Sequence, residues 1–249
     1  MAWAAVTGAA TLAVAAVAQT ASGETLSAAL GIVQPALEYA GTVAFAVSGA
    51  LLAARKRMDL VGVMVLGSIV AVGGGTTRDL LLQRPVFWVT SPTFVVVAAV
   101  VAMMALPLHR WGVIQWGERY NLINISDAAG MALFVITGTN VALQAQASPV
   151  AAVLIGVIAG VGGGIIRDVL AMQIPDVLRN GQFYASAAFI GAVLYALLLQ
   201  LPVSPLAVFW LPILVIFTIR MASLRGGWGV PSMSLTERRP PSGGDPARP

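Results

Sequence analysis

The 249-residue chain has no cysteine, which excludes disulfides and thiolate metal sites. It has one histidine, His109, beside Arg110 in a predicted loop, so a multi-histidine metal centre is excluded as well. Charge is scarce: Asp, Glu, Lys and Arg together make up 10% of residues, where a soluble domain carries roughly a quarter. No Walker loop, no paired metal ligands and no Ser with a His–Asp partner occur, so no enzyme constellation and no cofactor site is expected. What remains is 58% hydrophobic. That composition belongs to an all-α polytopic membrane protein.

A span needs about 20 mostly apolar residues. Seven such segments are expected near 36–54, 59–82, 92–108, 127–145, 149–172, 182–200 and 203–222, bounded by charge clusters, prolines or polar turns. With the start of the first span outside, the inner side receives twelve of the basic residues and the outer side only Arg78 and Arg84. The positive-inside rule therefore places the C-terminus in the cytoplasm of a cell inner (plasma) membrane protein. It also accounts for the basic balance better than nucleic-acid binding does. Residues 1–35 form an N-terminal apolar segment and linker. Within it, 1–18 read equally as a signal peptide ending at Ala16-Val17-Ala18 or as an extra helix, since a basic leader is missing. Residues 109–126 are a connecting loop, and 223–249, rich in Pro, Gly and Arg, are expected to be a disordered cytoplasmic tail.

The sequence repeats itself. Gly73-Gly74-Gly75-Thr76-Thr77-Arg78-Asp79 returns 89 residues later as Gly162-Gly163-Gly164-Ile165-Ile166-Arg167-Asp168. At the same offset Glu38 falls on Asp127, Gly41 on Gly130, Phe45 on Phe134, Ser48 on Thr137, Gly49 on Gly138 and Gly67 on Gly156. Repeat 1 covers 36–108 and repeat 2 covers 127–200, with the seventh helix at 201–222 outside the duplication. Three spans separate equivalent points, an odd number, so the second repeat runs upside down relative to the first.

Three consecutive glycines cost a helix about 3 kcal/mol relative to alanine. Close packing needs only one glycine per turn, so a kink or unwinding is expected at 73–75 and 162–164. Freed backbone there must meet protein or a water-lined cavity. By helical rise, Gly74 lies about 21 Å from the inner end of its helix and Gly163 about 20 Å from the outer end of its own. The two breaks would face each other near the midplane. Arg78 and Asp79 project about 100° apart and make a poor helix-face pair. They are expected to anchor their own helix end, either as interfacial anchors or as charges at the mouth of a pathway, as are Arg167 and Asp168. Glu38 and Asp127 are read as N-terminal caps, and Ser48 and Thr137 as packing residues made notable by their equivalence.

The doubled Gly-Gly-Gly-x-x-Arg-Asp, the Gly-x-x-x-Phe-x-x-x-Gly before each copy and the seven-span plan resemble the prokaryotic trimeric intracellular cation (TRIC) channels. Bacterial relatives of the same group are described as glycine transporters. The resemblance implies two inverted three-helix repeats plus a seventh helix, and a homotrimer in membrane lipid with a pore in each protomer. That pore would pass the second and fifth helices at Gly73–Gly75 and Gly162–Gly164 and carry potassium and sodium passively. The basic lipid-gating helix of animal members has no counterpart, because 127–145 contains no Lys or Arg. Two other functions are compatible with the residues: a small amino-acid carrier, which would use arginine for a carboxylate and freed carbonyls for an ammonium, and a non-transporting scaffold.

Overall fold

The computed structural model of the chain describes residues 21–110, 122–178 and 183–226. The expected signal peptide or extra helix at 1–18, most of the 109–126 connection and the tail from 227 onward lie outside the described residues. Every regular element described is helical: α1 (Ala21–Arg55), α2 (Leu60–Leu81), α3 (Phe87–Thr90), α4 (Thr93–Arg110), α5 (Leu122–Gln144), α6 (Pro149–Leu170), a 3-10 turn (Asp176–Leu178), α7 (Ala185–Leu198) and α8 (Pro205–Gly226). Five segments are long and apolar enough to cross a membrane: Val33–Arg55, α2, α5, α6 and Leu206–Gly226. Two shorter apolar helices, Thr93–Ala105 and α7, complete the seven.

Four elements differ from expectation by three residues or more: α5 begins at Leu122, inside the expected 109–126 connection, and α8 runs on to Gly226, past the expected 222. α1 begins at Ala21, so residues 21–35 are helix and not linker. α7, expected from 182, starts only at Ala185, because the preceding Tyr184 is drawn sideways into a polar cluster described below.

The duplication reaches down to single dihedrals. Asp59 caps α2 by accepting the Gly62 N–H at 2.7 Å, and Ser148, its equivalent, accepts the Ala151 N–H at the start of α6. The four non-glycine residues with positive φ fall into two equivalent pairs, Arg57 with Gln146 and Gln83 with Met172. α3 and the 3-10 turn also start at equivalent positions, Phe87 and Asp176.

α1, α2, α5 and α6 pack together in the centre. α4 closes against α1 and α2, and α7 closes likewise against α5 and α6. α8, the unduplicated helix, packs on α5 and α7. Glycine lets the helices meet. A β-carbon at Gly49 would lie 3.0 Å from the Gly67 Cα, and one at Gly138 would lie 3.2 Å from the Gly156 Cα. The outward faces of α2 and α6 carry equivalent apolar stripes, Val61-Val65-Ile69 and Val150-Leu154-Ile158, all exposed on the single chain.

Candidate functional site: two buried arginine clusters

The glycine triplets do not break their helices. α2 and α6 run unbroken through Gly73–Gly75 and Gly162–Gly164, which corrects the expected unwinding. The physical reason lies in what surrounds each residue. A methyl on Gly74 would collide with the carbonyl oxygen of Ala159, and one on Gly163 would sit 3.0 Å from the carbonyl oxygen of Val70. Gly73 faces Ile166, Gly75 the Phe87 ring and Gly164 the Tyr184 hydroxyl. Consecutive glycines point in different directions, and here nearly every direction is occupied. Backbone contact between α2 and α6 replaces the propensity lost to glycine.

Each triplet leads within one turn to a buried arginine. In the first repeat, Arg78 is fully buried and donates from Nε to Asp79 Oδ1 at 2.8 Å and from Nη1 to Glu38 Oε1 at 2.7 Å. The turn at Gln83 folds the chain back so that the Phe87 N–H reaches Asp79 Oδ2 at 2.8 Å. The Phe87 ring covers the guanidinium. Arg84 approaches Asp79 at 3.6 Å, but its side chain is 42% exposed. Thr76 bonds the Val72 carbonyl and accepts the Trp88 indole N–H.

The second cluster repeats this plan and adds to it. Arg167 donates from Nε to Asp168 Oδ1 at 2.8 Å and from Nη1 to Asp127 Oδ1 at 2.7 Å. Asp168 Oδ2 accepts the Asp176 N–H, the equivalent of Phe87, and the Asp176 carboxylate lies 3.7 Å from Arg167 Nη2. Gln173 stands at the position of Arg84, and three further groups, Ser48, Tyr184 and Arg220, have no counterpart in the first cluster. Gln173 donates to Asp168, Ser48 of the first repeat accepts from Arg167 Nη1 at 2.6 Å, and Tyr184 donates its hydroxyl to Asp127 Oδ2 at 2.8 Å. Arg220 of α8 lies over the Tyr184 ring at 4.2 Å.

Several expectations are thereby corrected. Arg78 and Asp79 do pair, as do Arg167 and Asp168. Their β-carbons diverge, but the arginine stem is long enough to bring Nε back to the neighbouring carboxylate. Glu38 and Asp127 are not caps: each lies inside its helix, buried, as the second carboxylate of an arginine 40 residues away. Arg220, one of the twelve basic residues expected on the inner side, is fully buried within α8. Ser48 joins the second cluster, whereas Thr137 bonds the Leu133 carbonyl of its own helix. Tyr184, Gln173, Asp176 and Arg220 escaped sequence reasoning. Only Asp176 carried a usable signal, its eight-residue spacing from Asp168 matching that of Phe87 from Asp79.

Comparison with known proteins gives a consistent result. A family model described as "Glycine transporter" matches residues 35–110 and again residues 124–200. The UPF0126 inner membrane protein YadS of Escherichia coli K12 is 44% identical over 205 residues, covering 81% of this chain and 96% of that protein. A UPF0126 membrane protein of Vibrio cholerae is 39% identical over 203 residues, covering 81% and 83%. Among solved structures, the TRIC channel orthologue from Rhodobacter sphaeroides is 38% identical with a TM-score of 0.72, covering 78% of this chain and 98% of that one. A prokaryotic TRIC channel crystallised in 0.5 M KCl is 28% identical with a TM-score of 0.73, covering 80% and 99%.

Proposed function

The chain belongs to the membrane-protein family that spans the TRIC cation channels and the glycine-transporter model, and on that premise we propose that it is a passive channel for the monovalent cations potassium and sodium. It works as a homotrimer in the cell inner membrane with one pathway per protomer. The pathway runs among α1, α2, α5 and α6, past Gly73–Gly75 and Gly162–Gly164. Thr76, Ser48 and Thr137 lie along it, and the Arg78–Asp79 and Arg167–Asp168 pairs sit towards its two ends. The exposed stripes of α2 and α6 meet lipid or a neighbouring protomer.

One observation carries this reading: each buried arginine is outnumbered by its own carboxylates. Arg78 is bound by Glu38 and Asp79, and Arg167 by Asp127 and Asp168, with Asp176 close by. An unpaired arginine on the path would repel cations. The second cluster keeps surplus negative charge, which in a low-dielectric setting attracts cations and excludes anions, while in the first Arg84, 3.6 Å from Asp79 and 42% exposed, brings the charges to balance.

The competing reading is the glycine carrier named by the family model. A carrier of a zwitterion needs a receptor for the substrate carboxylate. Both arginines already spend Nε and Nη1 on resident carboxylates, and the continuous α2 and α6 offer no free half-helix N-terminus at midspan.

Purified protein in liposomes separates the two. The expected outcome is unitary potassium currents that glycine does not alter, with reversal potentials favouring cations in a salt gradient. Neutralising Glu38→Gln together with Asp127→Asn is expected to lower that cation preference. Saturable glycine uptake without unitary currents would reject the channel.

A further inference from the structure

The two clusters lie at different depths, and what separates them is a pair of aromatic rings. α1 carries Glu38 of the first cluster, then Phe45, then Ser48 of the second. From Glu38 to Ser48 is about 15 Å of helix rise, so Phe45 stands between the clusters. α5 places Phe134 seven residues after Asp127, as α1 places Phe45 seven after Glu38. These equivalent residues meet: their rings stack with centroids 5.5 Å apart, and both are fully buried.

Glycine makes room for the rings from the opposite repeat. A β-carbon at Gly130 would come within 2.7 Å of the Phe45 ring, one at Gly41 within 2.9 Å of the Phe134 ring, and one at Gly163 within 3.1 Å of Phe45. Val70, Ala71, Ala46, Met131 and Val135 are buried in the same apolar cluster. An apolar layer, with no charged side chain among its described residues, thus lies between the two buried charged clusters. An ion entering it would give up hydration for nothing.

We infer that the stacked Phe45–Phe134 pair is the gate of the proposed pathway, a dewetted barrier at the pseudo-two-fold centre that holds the two ion-pair clusters apart. The inference rests on the channel reading. Conduction requires the rings to part, and because they are related by the repeat symmetry, displacement of either opens the way to both clusters.

Potassium flux through full-length protein in liposomes tests this, with wild type compared against Phe45→Ala, Phe134→Ala and the double variant. Each tenfold rise in flux corresponds to about 1.4 kcal/mol of barrier removed, and the double variant is expected to rise about tenfold or more with cation preference retained. Should truncation impair assembly, Phe45→Tyr and Phe134→Tyr keep the ring and add one hydroxyl to the apolar layer. Either assembled variant is expected to raise flux. Flux in wild type that no assembled variant changes overturns the gate alone. Absence of potassium flux from wild type and variants alike overturns the channel reading itself.

Discussion

At the scale of single residues, each glycine of the two triplets meets a different neighbour. Glycine signals either freed backbone or close approach, and the sequence cannot show what faces each α-carbon. The structure assigns different duties within one triplet. A β-carbon at Gly162 would lie 3.5 Å from the Gly74 Cα, ordinary contact, while one at Gly74 would strike the Ala159 carbonyl. Gly74→Ala is therefore expected to force α2 and α6 apart and to destabilise by about 1–3 kcal/mol. Gly162→Ala is expected to be neutral or to stabilise by up to about 1 kcal/mol through helix propensity. Thermal unfolding of the detergent-solubilised variants measures the contrast, and equal losses at both sites would contradict the packing account. The carboxylate pairings are hidden from the sequence for a related reason. Glu38 and Asp127 lie near the starts of the expected spans, where a cap is the cheapest role. Their partners sit 40 residues away on another helix, a distance that local reasoning does not reach.

At the scale of elements, most of the fold could be read directly. Seven apolar segments and an odd number of spans between equivalents fixed the plan, because lipid leaves the chain little besides helices to span with. The caps at Asp59 and Ser148 and the paired positive-φ turns bear out the duplication at a finer level than composition could reach. What stayed hidden is where the repeats diverge. The Tyr184 hydroxyl serves Asp127 in the second cluster, under the Arg220 guanidinium of α8, a helix with no duplicate to mark its residues as paired. In the first repeat the corresponding region holds Tyr39, whose hydroxyl meets the Thr93 side chain at an exposed site. Tyr184→Phe removes the donor from a buried carboxylate oxygen and is expected to cost about 1–3 kcal/mol. Tyr39→Phe loses a bond that water can replace, and its thermal midpoint is expected to move far less. Similar shifts in the two variants would show that the Tyr184 bond to Asp127 stabilises no more than the exposed Tyr39 bond does.

At the scale of the whole molecule, the structure alters the count on which orientation rests. Fourteen basic residues divide twelve to two between the expected sides, but three of them do not face water. Arg78, Arg167 and Arg220 are fully buried, the first two in ion pairs with their own carboxylates, so they say little about which loops the membrane retains. Setting them aside leaves ten on the expected inner side against Arg84 alone on the outer. The positive-inside rule acts on Lys and Arg near span ends, and Arg55, Lys56 and Arg57 follow α1 directly while Arg225 closes α8. The asymmetry therefore becomes steeper once buried charge is removed. An inverted-repeat protein needs this bias, since its two halves would otherwise fit either way up. A C-terminal fluorescent-protein fusion is expected to fluoresce in the cytoplasm, and a phosphatase fusion at the same point to stay inactive. Replacing Arg55, Lys56 and Arg57 together with Gln is expected to produce a mixed population in which both reporters score. A wild-type fusion active only as phosphatase would place the C-terminus outside and reverse the sides assigned to the two arginine clusters.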